Sequence, residues 1–264
     1  MNFLFWNVGG QPLDKHVCTL VAEHGVDVVV LAEAASACET ERALSNTVKT
    51  YFHVTTDESR VKVFTSFSKG LTRVLEDGGY FSALEMVPPL LRRLLLVGVH
   101  FPSKLYQDPE SQALECTVLA DRIRKLEEQV GHRSTVVIGD LNMNPFESGV
   151  VGAAGLHAVA AAAVARRLSR TVAGRAYDFF YNPTWAHMSD RVGGPPGTYF
   201  RTSSEQVSLF WHALDQVLLR PALLDLFKMD GLRVLEVAGP ETLVNPKGHP
   251  SASDHLPLLL TLAG

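Results

Sequence analysis

The sequence predicts an α/β protein in which two packed β-sheets are flanked by helices. Two observations predict it. In the first half, apolar runs rich in Val, Leu and Phe alternate with stretches of helical spacing, and further strands follow in the second half. No repeat or linker divides the 264 residues, so one domain spanning 1–264 is expected.

Taken in order, Phe3 to Val8 reads as a first buried strand. A helix follows, with Pro12 suited to its first turn, Leu13, Val17, Leu20 and Val21 on one face, and Gly25 ending it. Asp27 to Ala32 is a second buried strand, and Ser36 to Thr50 reads as helical. Tyr51 to Val54, Val61 to Phe67 and Gly79 to Val87 are β-rich, with turn residues between them. Leu94 to Phe101 is another buried strand. Asp108 to Val130 forms the longest helix, with Leu114, Val118, Ile123, Leu126 and Val130 assigned to its apolar face. Thr135 to Gly139 is a strand that delivers Asp140. An Ala- and Arg-rich middle, partly helical, runs into a Pro/Gly loop at Gly193 to Gly197. Ala213 to Leu219, Gly231 to Val237 and His255 to Leu262 complete the strands.

Composition narrows the setting. Hydrophobic residues make up 46% and charged residues 20%, which suits a water-soluble chain long enough to bury a core without staples. Cys18, Cys38 and Cys116 are odd in number and lack metal-type spacing, so they read as small hydrophobes in a reducing compartment, and a cytoplasmic location is expected. The start, Met1 to Trp6, lacks the basic residues of a signal peptide. Gly149 to Ala165 is apolar but built of Gly and Ala, with little Leu, Ile or Phe to drive insertion, so no stable membrane association is expected. The formal net charge of −4 gives no global attraction to nucleic acid. Locally, Leu156 to Ser204 carries six arginines (166, 167, 170, 175, 191 and 201) against Asp178 and Asp190, interleaved with aromatics. Such a segment either tracks a phosphate backbone or forms a solvated rim over the core.

The chemistry lies at strand ends. Asn7 closes the first strand and Glu33 follows the second. Gly139-Asp140-Leu141-Asn142 and Ser253-Asp254-His255 flank later ones. A phosphodiester is an anion that repels nucleophiles, and hard cations with oxygen ligands neutralise it. Glu33 and Asp254 are hard ligands, and Asn7 either orients them or binds the same ion. The two-residue spacing of Asp140 and Asn142, if extended, points both to one side of a sheet end. His255 needs a carboxylate to fix its tautomer and stabilise its imidazolium.

Trp6-Asn7-Val8, Leu31-Ala32-Glu33, Val99-His100, Gly139-Asp140-Leu141-Asn142, Leu214-Asp215-Gln216-Val217 and Ser253-Asp254-His255 occur in this order over nearly the whole chain. In this the sequence resembles the endonuclease/exonuclease/phosphatase superfamily. The Gly-Asp-X-Asn and Ser-Asp-His elements are specific as a set, though each alone is weak. The resemblance implies a deoxyribonuclease-I-like, four-layered α/β sandwich with two mixed sheets. It implies Mg²⁺, with Mn²⁺ as the other candidate, held by Glu33 with Asn7 and Asp254 beside it. It implies that Asp140 orients or deprotonates the attacking water, supported by Asn142, and that Asp215 pairs with His255. His100 matches a histidine that donates to phosphate or leaving group, with Glu58 as a candidate partner in a poorly matching stretch. Arg201, after Gly197-Thr198-Tyr199-Phe200, falls in the loop that faces substrate. The remaining histidines, His212 among them, show no paired spacing and read as surface or packing residues.

The leading expectation is therefore a metal-dependent phosphodiester hydrolase acting on DNA or RNA. The alternative is a phosphatase or phosphodiesterase acting on a small or lipid phosphate ester; a lipid enzyme would want an exposed membrane-binding surface, which the sequence does not offer. A third reading, a non-catalytic module, is disfavoured because the full residue set is intact. Protein partners are not indicated.

Overall fold

The computed structural model describes residues 1–89, 91–104, 108–190, 193–204 and 206–263. The chain begins with β1 (Asn2–Asn7), α1 (Asp14–His24), β2 (Val28–Ala32), α2 (Ala37–Ser45), β3 (Phe52–His53) and β4 (Val61–Thr65). The hairpin β5 (Thr72–Gly78) and β6 (Phe81–Met86) leads to β7 (Leu94–His100), α3 (Pro109–Val130) and β8 (Thr135–Asp140). A middle stretch holds α4 (Ser148–Val151), β9 (Ala158–Val159), α5 (Ala162–Ala165), β10 (Ser169–Val172), β11 (Arg175–Asp178) and β12 (Phe180–Tyr181). Then come β13 (Tyr199–Phe200), β14 (Trp211–His212), β15 (Asp215–Leu219), β16 (Phe227–Val234), β17 (Val237–Ala238), β18 (Glu241–Thr242) and β19 (Leu258–Leu262).

Two mixed sheets face each other, one ordered β16-β19-β1-β2-β4-β3 and the other β5-β6-β7-β8-β15-β12-β9. The two-residue period of a strand builds the layers. Phe3 and Phe5 of β1 turn inward and meet Leu94 and Leu96 of β7 and Val136 and Ile138 of β8. Leu4 and Trp6 turn outward, onto Val17, Leu20 and Val21 of α1 and Leu44 of α2. On the other face, Leu95, Val97 and Val137 pack on Cys116, Leu119 and Ile123 of α3. The result is the expected helix–sheet–sheet–helix sandwich. Among the described residues, no helix is long and apolar enough to cross a membrane.

Local chemistry sets the element ends. Gly25 and Gly131 close α1 and α3 in the left-handed conformation that glycine takes without steric cost. Ser36 and Asp108 cap α2 and α3 by accepting from Glu39 N and Ser111 N. Pro12 lies just before α1 rather than in its first turn, and α2 stops at Ser45, five residues earlier than expected.

One expectation fails more instructively. On α3, Leu114 and Val118 are 64% and 49% exposed, while Gln112, Cys116, Leu119, Ile123 and Leu126 are buried. Five residues separate Val118 from Ile123, which breaks the three-or-four rule, whereas 112, 116, 119, 123 and 126 keep it. The Ala- and Arg-rich middle is partly helical, as expected, in the two short helices α4 and α5, with strands between and after them. Alanine supplies helix propensity there but no broad apolar face, and Gly149, Gly152 and Gly155 interrupt it.

The strand directions position the site. β1 and β2 run parallel, so Asn7 and the residue after Ala32 emerge at the same edge. β7 and β8 are likewise parallel, with His100 opposite Asp140. β15 runs antiparallel to β8 and starts there, with Asp215 opposite Asp140. β19 pairs antiparallel with β1, placing Phe5 opposite Leu258, so the residues before β19 return to the end of β1. Residues more than two hundred positions apart thus share one rim.

Candidate active site

Asp140 lies at the centre and is fully buried. Its Oδ1 accepts the Asn142 backbone N–H at 2.8 Å, and its Oδ2 accepts from the Asn7 amide at 3.1 Å. Burial first, and then the Asp215 charge, raise its pKa above the ordinary carboxylate value. Asp140 can take its position only because Gly139 precedes it. A Cβ on Gly139 would stand 2.0 Å from the Val99 carbonyl oxygen across the parallel ladder.

The Asn7 amide also donates to Glu33 Oε1 at 3.1 Å, while its own oxygen accepts the Gly9 N–H at 3.0 Å. In this arrangement Asn7 ties two carboxylates together through its nitrogen. Glu33 has φ of 56°, a left-handed conformation that costs a non-glycine residue about 1–2 kcal/mol. Its side chain is 45% exposed and faces the pocket. The His100 imidazole, with Nε2 3.4 Å away, contributes most to holding the Glu33 pKa down at about 2. His100 therefore pairs with Glu33, and its Nε2 also comes within 4.0 Å of Asp140. Glu58, the candidate partner from sequence, is exposed, and the carboxylates within 4.0 Å of His100 among the described residues are Glu33 and Asp140.

His255 is buried and its Nδ1 meets Asp215 Oδ2 at 2.7 Å. Its Nε2 points towards Asp140, 3.9 Å from Oδ2. The Trp6 indole N–H donates to the His255 carbonyl at 2.8 Å, and the Tyr199 ring lies 4.9 Å from the imidazole. Burial opposes the imidazolium, but the Asp215 carboxylate, with Asp140 and Asp254 behind it, outweighs burial and raises the His255 pKa to about 10. Asp254 is exposed on the same wall. The Ser253 hydroxyl donates to the Asn7 carbonyl at 2.8 Å and so fixes the turn that presents Asp254. Gly9 passes beneath it, where a Cβ would come within 3.2 Å of Asp254 Oδ1.

Apart from Glu58, every site residue expected from sequence lines one pocket of about 250 Å³ except Asp215, which stands behind it on His255. Asn142, also left-handed with φ of 51°, donates its amide to the Phe101 carbonyl at 2.8 Å and is thereby tied to the strand that carries His100. Arg201 is exposed on the rim. Lys104, Tyr199 and His212 line the pocket too and were not anticipated. A signal for His212 was present: in an extended approach to Asp215, His212 and Leu214 project to the same side.

The basic segment fares differently. Phe179, Phe180 and Tyr181 are core residues. Arg166 pairs with Asp225 at 2.9 Å, and Asp225 follows the end of β15 remote from Asp215. Arg175 leans on Asp121 of α3, and Arg170 donates to His157. Of that segment's described arginines only Arg201 lines the pocket, together with the aromatic Tyr199; Arg191 lies outside the described residues.

Two clusters could take a cation. Asp140, Asp215 and His255 place one ligand atom each within 4.8 Å of one another, all buried. There the imidazole and Asp215 are already engaged with each other. Glu33 and Asp254 are solvent-accessible carboxylates that line the same pocket as Asp140 and His255. Their hard oxygens fit an ion that keeps part of its water shell, so the second arrangement suits a hard divalent cation better.

Residues 4–255 match the Endonuclease/Exonuclease/phosphatase family. A comparison with curated protein sequences finds no match. Among solved structures, truncated Caenorhabditis elegans TDP2 is similar at 16% identity and a TM-score of 0.60, covering 100% of this chain and 97% of that one. D. rerio TDP2 complexed with a single-strand DNA product has 19% identity and a TM-score of 0.60, with 100% and 99% covered. The 3′ phosphatase NExo from Neisseria, bound to a product DNA hairpin, has 13% identity and a TM-score of 0.61, with both chains covered in full. At these identities the likeness is one of fold.

Proposed function

This chain belongs to the Endonuclease/Exonuclease/phosphatase family, and on that premise we propose that it is a divalent-metal-dependent phosphodiesterase acting on nucleic acid. The observation that carries the reading is the convergence of Glu33, Asp140, Asp254 and the His255–Asp215 pair on one pocket. The DNA products bound to two of the similar structures support a nucleic-acid substrate. Three cysteines, odd in number and without metal-type spacing, support a reducing, cytoplasmic setting.

Glu33 and Asp254 would hold the metal, Mg²⁺ being the favoured ion, with Asn7 locking Glu33 in place through its amide nitrogen. When bound, the ion supplies charge neutralisation at the phosphate and at the departing oxygen. The chain's own groups do the rest. Asp140 is poised to take a proton from water, because burial makes it a stronger base than an exposed carboxylate. The Asn142 N–H fixes one of its oxygens, and the other, which accepts from the Asn7 amide, lies on the pocket side. Asp215 stabilises the His255 imidazolium, so His255 offers an Nε2–H to a nonbridging phosphate oxygen as negative charge accumulates there. His100 sets the charge and orientation of Glu33. Arg201 supplies a cation at the mouth of the pocket.

The test is a panel of single-stranded DNA, duplex DNA, RNA and small phosphate esters, each with Mg²⁺ and with EDTA. Cleavage of a nucleic acid that EDTA abolishes is expected. Turnover confined to small phosphomonoesters would replace this reading with the small-ester one.

A further inference from the structure

The hydrolysis described above leaves His212 without a task, yet its hydrogen bonds define its chemistry. The Ala213 N–H donates to Asn144 Oδ1 at 3.1 Å, which turns the Asn144 amide nitrogen towards His212, 3.1 Å from Nδ1. An amide nitrogen only donates, so Nδ1 accepts and the ring carries its proton on Nε2. Glu147 anchors Asn144 from the other side, accepting its backbone N–H at 2.7 Å and its amide at 3.3 Å. Among described residues nothing takes Nε2, and that atom is not sealed from solvent. Burial, then the Lys104 charge, keep the ring neutral, with Arg201 acting in the same sense and Glu147 opposing.

The ring lines the catalytic pocket and also a second groove of about 280 Å³ that opens beside it. Lys104 and Arg201 line both as well. Glu147 shares that groove, but its carboxylate is engaged by Lys104 and Asn144. Beyond them the groove is walled by Phe146 and Leu209, 43% and 48% exposed.

We propose that His212, Lys104 and Arg201 form a second phosphate site, which binds the backbone phosphate next to the scissile one in a polynucleotide. Two cations and a neutral N–H converge where the pocket continues into the groove, so a chain leaving the pocket on that side carries its next anion past them. The apolar walls beyond accept the face of the base that this phosphate bears. This inference rests on the proposed phosphodiesterase activity and narrows its substrate. The enzyme would prefer an ester that carries a second phosphate one nucleotide away over a single ester of any kind.

The test compares two probes on the full chain with Mg²⁺: a single-stranded tetranucleotide and a mononucleotide p-nitrophenyl ester. His212→Ala is expected to lower kcat/KM for the tetranucleotide at least tenfold more than for the ester, chiefly through KM, on the scale of a hydrogen bond to a charged group. His212→Gln, which restores a neutral donor, should recover most of the loss, and Lys104→Gln should reproduce it. Equal losses on both probes, or none, would overturn the proposal. So would failure of the glutamine rescue. Binding of a fluorescent tetranucleotide by anisotropy separates the two levels. Binding that His212→Ala weakens, without hydrolysis by wild type, sustains the phosphate site while refuting the activity. Absence of binding by wild type refutes the site.

Discussion

Glu33 sits strained in a left-handed conformation and gripped on one side by Asn7 and on the other by His100. Its low pKa follows from that grip, with His100 the larger contributor. His100→Ala should therefore lift the Glu33 carboxyl from about 2 towards its ordinary 4.5, read from the pH titration of its side-chain carbon by NMR. A carboxyl that stays near 2 would mean that His100 does not set its charge. The His255–Asp215 pair gives a signature of opposite sign. A histidine raised from 6.5 to about 10 contributes stability that is full below pH 6.5 and is lost as pH climbs towards 10. Denaturant midpoints should fall across that alkaline window in wild type and fall less in Asp215→Asn. His255→Ala should lower kcat by several orders of magnitude with the fold retained, as expected for loss of an electrostatic group at the reacting phosphate. Near-normal turnover would remove it from the mechanism. Glu33 and His255 were legible in the sequence because they flank apolar runs, whereas Asp215 and the role of His100 came from the family resemblance. The pairing of His100 was not legible, since Glu33 reaches it from the other sheet. His212 was passed over because its partner, Asn144, lies 68 positions away.

Among the elements, β8 is the one on which the site turns. It carries Asp140 at its end, and it lies against β7 so closely at Gly139 that no side chain fits there. Gly139→Ala should cost about 1–3 kcal/mol through overpacking and should reduce turnover beyond any loss of folded protein, because the ladder that aims Asp140 must shift. Thermal denaturation and the kcat of the folded fraction check both halves; a variant with normal stability and kcat would show that the ladder yields freely. Strands such as β1, β2, β7 and β8, buried on both faces, announce themselves as continuous runs of apolar residues. Edge elements do not. The strand β5 (Thr-Arg-Val-Leu-Glu-Asp-Gly) went unrecognised because it is an exposed sheet edge with a polar sequence. The face of α3 was misassigned where exposed Leu114 and Val118 stood in for the buried Gln112 and Cys116. A helix can bury a glutamine if its amide is used, and Gln112 faces the Pro102 and Asn142 carbonyls at 3.3 Å each.

Over the whole molecule, the parallel pairs β1–β2 and β7–β8 and the antiparallel returns of β15 and β19 bring distant strand ends to one rim. Sequence patterning gave the layers, but the side on which charged residues gather depends on tertiary placement. The arginines that looked like a nucleic-acid track are therefore a test of geometry. Charge reversal at Arg166, Arg167 and Arg170 together, remote from the pocket, should leave the salt dependence of DNA binding within error of wild type, whereas loss of a phosphate contact would reduce its slope. A flatter slope would place substrate on that end of the molecule. In the proposed site the ion binds at the solvent-accessible carboxylates and leaves the histidine–aspartate pair intact. Anomalous diffraction from crystals soaked in Mn²⁺ tests it most directly. A peak against the Glu33 carboxylate, with His255 Nδ1 still bonded to Asp215, is the predicted result; a peak held by Asp140, Asp215 and His255, with Glu33 free of the ion, would contradict it.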